Sequence, residues 1–154
     1  MASVHDVAAY ILEKKGPMTA MKLQKLVYYC QAWSLVWDER PLFNEPIQAW
    51  ANGPVVPALY AEHRGCFMVG RDIMPTGDPS KLDTDARETV DAVLEFYGQR
   101  SAQWLSDLTH AETPWQEARQ GVANGASCEA EITHAAMAEY YSTVQAHRDI
   151  AGAR

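Results

Sequence analysis

Residues 22–37, Lys-Leu-Gln-Lys-Leu-Val-Tyr-Tyr-Cys-Gln-Ala-Trp-Ser-Leu-Val-Trp, carry apolar side chains on two sides of a helix. At about 100° per residue, Leu23, Leu26, Val27, Cys30, Trp33, Ser34 and Trp37 share one face, as a core stripe does. The opposite side holds Tyr28, Tyr29, Ala32, Leu35 and Val36, with Gln24, Lys25 and Gln31 as its long polar side chains. Two arrangements satisfy that pattern. The helix is central and wrapped by the rest of the domain, which is the preferred reading. Alternatively, part of the second face docks a partner, with Gln24 and Gln31, seven apart and so aligned, as its polar margin.

The flanking pattern predicts further helices. Ser3 followed by Asp6 resembles a capping box, and Val4, Val7, Ala8, Ile11 and Leu12 follow at helical spacing until Gly16-Pro17 ends the run. Thr19 caps the second helix, which runs to about Trp37. Residues 43–50 alternate briefly around Ile47 and Ala49 and read as a short strand, with Pro46 arguing against a central one. Asn52-Gly53-Pro54 signals a turn. A short helix is expected from Val55 to His63 with Pro57 in its first turn. Residues 65–81, with three glycines and two prolines, read as a long loop. Thr84 to Tyr97 is amphipathic, Ser101 caps a helix through Leu108, and Thr113-Pro114-Trp115 reads as N-cap, N1 and N2 of another ending near Gly121. Ile132-Thr133 opens a last helix through about Ile150, with Ala136, Met137, Tyr140, Tyr141 and Val144 as its apolar face. The expectation is a mainly α, single compact domain over 1–154. It has six or seven helices around a central one at about 19–37, and one small β element near 43–50.

Composition changes this picture little. The chain has 154 residues, 47% of them apolar and 21% charged, as in ordinary globular domains. Charge adds more. Residues 1–64 hold six basic and six acidic side chains, so the net −7 lies entirely in residues 65–154. An acidic surface neutralises phosphates poorly, which makes nucleic acid an unlikely ligand, and suits a basic protein partner. Cys30, Cys66 and Cys128 are odd in number and lack a C-x-x-C spacing, as expected of a reducing cytoplasm. The N-terminus does not read as a signal peptide, and no window has the length of a membrane span.

Candidate chemistry is thin. His110 and Glu112, two apart at a helix-to-loop junction, are the only constellation suggesting a general base or metal ligands, and H-E-x-x-H or paired cysteines are absent. The preferred reading is that His110 orders a turn. His5, His63, His134 and His147 read as structural too. Cys66 beside His63 is a weak nucleophile signal. Lys14, Lys15, Lys22 and Lys25, interleaved with Tyr28 and Tyr29, would bind single strands only if they formed one face. No catalytic residue, metal site or cofactor is expected, and the chain is not expected to be an enzyme. The five tryptophans, Trp33, Trp37, Trp50, Trp104 and Trp115, each suit a core, but Trp and Tyr also dominate binding hot spots.

Lys22-Leu-Gln-Lys-Leu-Val-Tyr-Tyr-Cys-Gln-Ala-Trp33, with Pro41-Leu-Phe43, Ile47-Gln-Ala-Trp50, Gly53-Pro-Val55 and Thr113-Pro-Trp115, resembles the Panacea domain, also described as SocA-like or GepA-like and phage-associated. The resemblance covers nearly the whole chain. It implies an antitoxin that neutralises a neighbouring toxin by direct protein–protein binding and steric occlusion. Delivery of the toxin to a cellular protease is an alternative role. Some members carry an added helix-turn-helix, and none is expected here. Leu23, Leu26, Trp33, Pro41, Gly53, Pro54, Pro114 and Trp115 are then scaffold positions. Lys25, Tyr28, Tyr29, Gln31 and Trp50 are the partner-binding candidates, with Lys25, Tyr28 and Gln31 as the exposed remainder of the second face. The remaining alternatives are a hydrolase or metal-dependent enzyme built on His110 and Glu112, and a nucleic-acid-binding module.

Overall fold

The structure, a computed structural model, describes residues 1–150, with side chains through 146. The reading of His147 lies outside the described side chains. The chain is mainly helical, with seven helices and five short strands among the described residues. Helix α1 (Val4–Lys15) begins with the full capping box. The Ser3 hydroxyl accepts from Asp6 N–H and the Asp6 carboxylate accepts from Ser3 N–H. Helix α2 (Ala20–Trp37) begins where the Thr19 hydroxyl accepts from Lys22 N–H.

Between them and the later helices lie two small antiparallel sheets. Strands β1 (Met18–Thr19) and β4 (Met68–Val69) pair with each other. Strand β2 (Ile47–Trp50) lies between β3 (Gly53–Val55) and β5 (Glu131–Ile132). Two expectations are corrected here. The β content is five short strands in two sheets, not one element. And β2 is a central strand despite Pro46. The proline stands just before the first paired residue, so its missing N–H removes no ladder bond.

Helices α3 (Pro57–His63), α4 (Thr84–Tyr97), α5 (Ala102–His110), α6 (Thr113–Ala118) and α7 (His134–Ile150) complete the fold, with a 3-10 turn at Pro79–Lys81. Several boundaries shift by a few residues; Val55, for one, belongs to β3, and α3 starts at Pro57. Glu112, not Thr113, is the N-cap residue of α6, and Ile132 belongs to β5 rather than to the last helix. Residues 65–81 are largely a loop, as expected, apart from β4 and the 3-10 turn.

Helix α2 is central. It packs against α1, α4, α5 and α7, and thirteen of its residues are buried, from Ala20 to Ser34. The core stripe is fully covered: Leu23, Leu26, Val27, Cys30 and Trp33 are each 0% exposed. The second face is covered equally well. Tyr29 stacks on Tyr97 of α4 with centroids 4.2 Å apart, and Tyr28 and Tyr29 meet Tyr141 of α7 edge-on. Trp33 Nε1–H donates to the Tyr97 hydroxyl at 3.0 Å. The exposed remainder expected at Lys25, Tyr28 and Gln31 does not exist, since all three are 1% exposed or less.

The two glutamines show how polar side chains become interior. Gln24 binds both polar groups of the Val56 backbone, accepting from N–H at 2.9 Å and donating to the carbonyl at 3.4 Å. Gln31 accepts from Leu42 N–H at 2.7 Å and donates to the Phe43 carbonyl at 2.8 Å. A carboxamide carries a donor and an acceptor side by side, as a strand neighbour does. Gln24 and Gln31 thus hold, from the helix, two chain segments that would otherwise bury unsatisfied backbone. Each such bond contributes about 0.5–1.5 kcal/mol net, and more is lost if a buried partner is stranded.

Candidate functional site

Residues 47–55 form a hairpin in which the carbonyls of Ala49, Trp50, Ala51, Asn52 and Pro54 each meet a side chain. Arg119 Nη1–H donates to the Ala49 carbonyl at 2.9 Å, and Trp115 Nε1–H to that of Trp50 at 2.9 Å. His110 Nε2 lies 3.0 Å from the Ala51 carbonyl, and Ser106 Oγ–H donates to that of Asn52 at 2.9 Å. Lys25 Nζ lies 3.5 Å from the Pro54 carbonyl. Helices α5 and α6 therefore grip one side of the β2–β3 hairpin, and α2 supports it from beneath.

Gly53 makes that support possible. Its φ of +122° favours glycine, and a Cβ there would collide with Cε of Lys25 and lie 3.1 Å from its Nζ. The hairpin backbone lies directly on the lysine stem. Burial lowers the Lys25 ammonium to about 8, and none of the ion pairs among the described residues includes it.

Beside the hairpin opens a pocket of about 620 Å³. Lys25, Gln24 and Met21 of α2, Trp50 and Val55 of the hairpin, and Tyr60 and His63 of α3 line it, together with Cys66, Phe67, Cys128 and Glu129 from loops. The Gln24 amide has its oxygen committed to Val56 N–H, so it meets His63 Nε2, 2.9 Å away, with its NH₂. The His63 proton is thereby placed on Nδ1, and burial lowers the basicity of the ring. One side of the mouth is apolar. Phe67 is 79% exposed, Met68 48% and Met21 39%, and they are held together because Ala20 N–H donates to the Phe67 carbonyl and Thr19 pairs with Met68.

The site residues expected from sequence divide sharply. Trp50 is half-buried and lines the pocket, its indole N–H donating to Gln48 and its ring edge-on to Tyr60. Lys25 lines the same pocket but is buried. Tyr28, Tyr29 and Gln31 are interior. Of the scaffold positions, Leu23, Leu26, Trp33, Gly53, Pro54, Pro114 and Trp115 are buried and Pro41 half-buried.

His110 and Glu112 face different surroundings. His110 Nδ1 lies 2.6 Å from the Ser106 carbonyl, and its ring packs on Trp115. The Glu112 carboxylate is buried, accepting from the Tyr29 hydroxyl at 2.7 Å and the Tyr141 hydroxyl at 2.8 Å. Neither lines the pocket that holds His63 and Cys66. Those two touch through backbone, Cys66 N–H to the His63 carbonyl at 2.8 Å. Burial of Lys25 also removes it from the lysine cluster of the first two helices. Among the described residues no three His, Cys, Asp or Glu side chains gather as a metal site, and no helix is long and apolar enough to cross a membrane.

Sequence reasoning missed Ser106, Arg119, Met21, Phe67 and Met68. The two polar residues look like ordinary helix surface. The apolar pair Phe67-Met68 sits in a stretch without periodicity, where its adjacency in a glycine-rich loop was the only signal.

Residues 23–116 match the family model described as "Antitoxin SocA-like, Panacea domain". The chain is also 32% identical over 139 residues to "Antitoxin SocA" of Caulobacter vibrioides (strain NA1000 / CB15N), covering 77% of this chain and 69% of that protein. No solved structure matches. The matched span contains most of α2, the hairpin, and the α5 and α6 residues that meet it through Trp115, and the chain belongs to the SocA-like antitoxin family of Panacea domains.

Proposed function

We propose that this protein is the antitoxin of a toxin–antitoxin pair and neutralises its cognate toxin by binding it directly and covering the toxin's active or target-binding surface. The similarity to Antitoxin SocA carries the reading. The docking surface is the apolar rim of the pocket, Met21, Phe67 and Met68 with Trp50 behind them. Here three large apolar side chains from α2 and the β4 segment reach solvent together beside a preformed cavity, as binding hot spots do. The excess acid of residues 65–154 steers a basic toxin toward the domain at a salt-sensitive rate. The free thiols of Cys30, Cys66 and Cys128 suit action in the cytoplasm.

Co-expression with the product of the adjacent reading frame tests this. Growth arrest by the neighbour alone, relieved by this chain together with a stoichiometric complex, is the expected result. Phe67→Ala and Met68→Ser should weaken both relief and complex by about tenfold or more, with melting temperature unchanged because both side chains are exposed. A harmless neighbour with no complex overturns the antitoxin reading. Full neutralisation by the double variant overturns the assignment of the rim alone.

A further inference from the structure

Lys25 holds a cationic group in the interior with very little to compensate it. The residue is 1% exposed, and its single hydrogen bond among the described residues is the long one to the Pro54 carbonyl. An ammonium has three donors, and a buried one is ordinarily matched by a carboxylate. Glu129, exposed at the pocket margin, forms no ion pair with it. The same lysine lines a cavity whose size falls in the range of about 300–1,000 Å³ usual for small-ligand sites.

We propose that this pocket binds a small organic carboxylate, its carboxylate group seated against the Lys25 ammonium and its apolar or aromatic body against Trp50, Tyr60 and Val55. The lining selects this class. One cation matches one monoanionic group, whereas a phosphate is best held by an arginine fork, and no arginine lines the pocket. The other buried polar side chains are committed, Gln24 to Val56 and His63, and His63 to Gln24. Met21, Trp50, Val55, Tyr60 and Phe67 give the wall an apolar and aromatic part that suits such a ligand body, while the polar Asn52, Ser127 and Glu129 are exposed at its margin. The site stands whether or not the rim above it holds a toxin.

Isothermal calorimetry on the full chain tests the proposal, with phenylacetate and indole-3-acetate as probes and 2-phenylethanol as the neutral counterpart. Saturable 1:1 binding of either acid is expected. It should be weaker by about tenfold or more for 2-phenylethanol, and for the acids in Lys25→Met, which keeps the stem and removes the charge. In parallel, NMR titration of the Lys25 side chain should show its midpoint rising from about 8 when the pocket is filled, because a carboxylate favours the ammonium. The proposal is overturned if neither acid saturates, if the alcohol binds as well as the acid, or if Lys25→Met binds unchanged. Should Lys25→Met fail to fold, the wild-type midpoint decides alone, and its failure to move overturns the proposal.

Discussion

The His110 ring lies between two backbone carbonyls, its Nδ1 2.6 Å from that of Ser106 one turn earlier on its own helix and its Nε2 3.0 Å from that of Ala51 at the tip of the hairpin. A ring with one N–H donates to one of them. A side chain that reads in sequence as a possible general base is therefore a tie between α5 and β2–β3. Replacing it with alanine removes the ring from the Ala51 carbonyl and loosens the hairpin. Urea unfolding should show a loss of about 1–3 kcal/mol for His110→Ala. Amide exchange should accelerate first at residues 50–54, because local opening follows the lost tie. A stability unchanged by His110→Ala would remove this role.

How much of this was readable beforehand depended on whether a signal was local. The caps of α1 and α2, the span of α4 and the proline-led starts of α3 and α6 follow from neighbouring residues, and the structure shows them within a residue or two. The burial of Gln24, Lys25 and Gln31 was not readable. Each is interior because a distant backbone segment, Val56, Pro54 or Leu42-Phe43, comes to meet it, and a helical wheel carries no such information. Strand β2 was underestimated for a related reason. Its second neighbour, β5, lies more than eighty residues away, and Pro46 weighed against it although it precedes the ladder by one residue. The pocket rim was invisible because Met21 and Phe67 are brought near each other by long-range contacts, the β1–β4 pairing and the Ala20–Phe67 bond.

The Gln24–His63 contact predicts a pH dependence. Burial lowers the His63 ring below the ordinary histidine value of 6.5, and the Gln24 NH₂ faces the lone pair of Nε2. The unfolded chain therefore binds the proton more readily than the folded one. Stability is full above about pH 6.5 and falls as pH drops below it toward the folded value. Urea midpoints measured between pH 8 and pH 5 should decline across that window. The decline should be shallower in His63→Gln, which retains a partner for Gln24 but has no titrating ring. Parallel profiles for the two proteins would exclude His63 as the source.

Glu112 joins α2 to α7 through Tyr29 and Tyr141, whose hydroxyls share the same carboxylate oxygen. Tyr29→Phe and Tyr141→Phe should each cost about 1–3 kcal/mol, as hydrogen bonds to charged groups do. The two losses should not add. Once one donor is gone the other bond tightens and takes over part of the stabilisation, so the double variant should lose more than the sum of the two single losses by about 0.5 kcal/mol or more. Strict additivity would mean that the two tyrosines act independently.

Gly53 and Lys25 are coupled by contact, and the coupling is measurable. Gly53→Ala introduces a methyl into the space of Lys25 Cε and imposes a backbone with φ +122° on a residue that has a Cβ. The strained backbone costs about 1–3 kcal/mol wherever it occurs, and the steric clash adds to it. Lys25→Ala removes the clash but leaves the strain. Gly53→Ala should therefore be less damaging in the Lys25→Ala background than in the wild type, while still destabilising. Raising the pH offers an independent check on the same lysine. Its folded value, about 8, lies below the ordinary 10.5, so the unfolded chain binds more protons between these limits and stability should rise with pH above 8. The lysine's slope is at most about 1.4 kcal/mol per pH unit and is unopposed only until the unfolded Cys30 thiol ionises near 9, since burial raises that thiol in the folded chain; the tyrosines of the unfolded chain follow near 10. Above that point the sign reverses, because burial raises Tyr28, Tyr29 and Tyr141 and the folded chain then holds the extra protons. A maximum between about pH 8 and 10 that disappears in Lys25→Met would place the buried ammonium where the structure puts it. Wild-type and Lys25→Met profiles that run parallel over that range would show that burial does not lower the lysine.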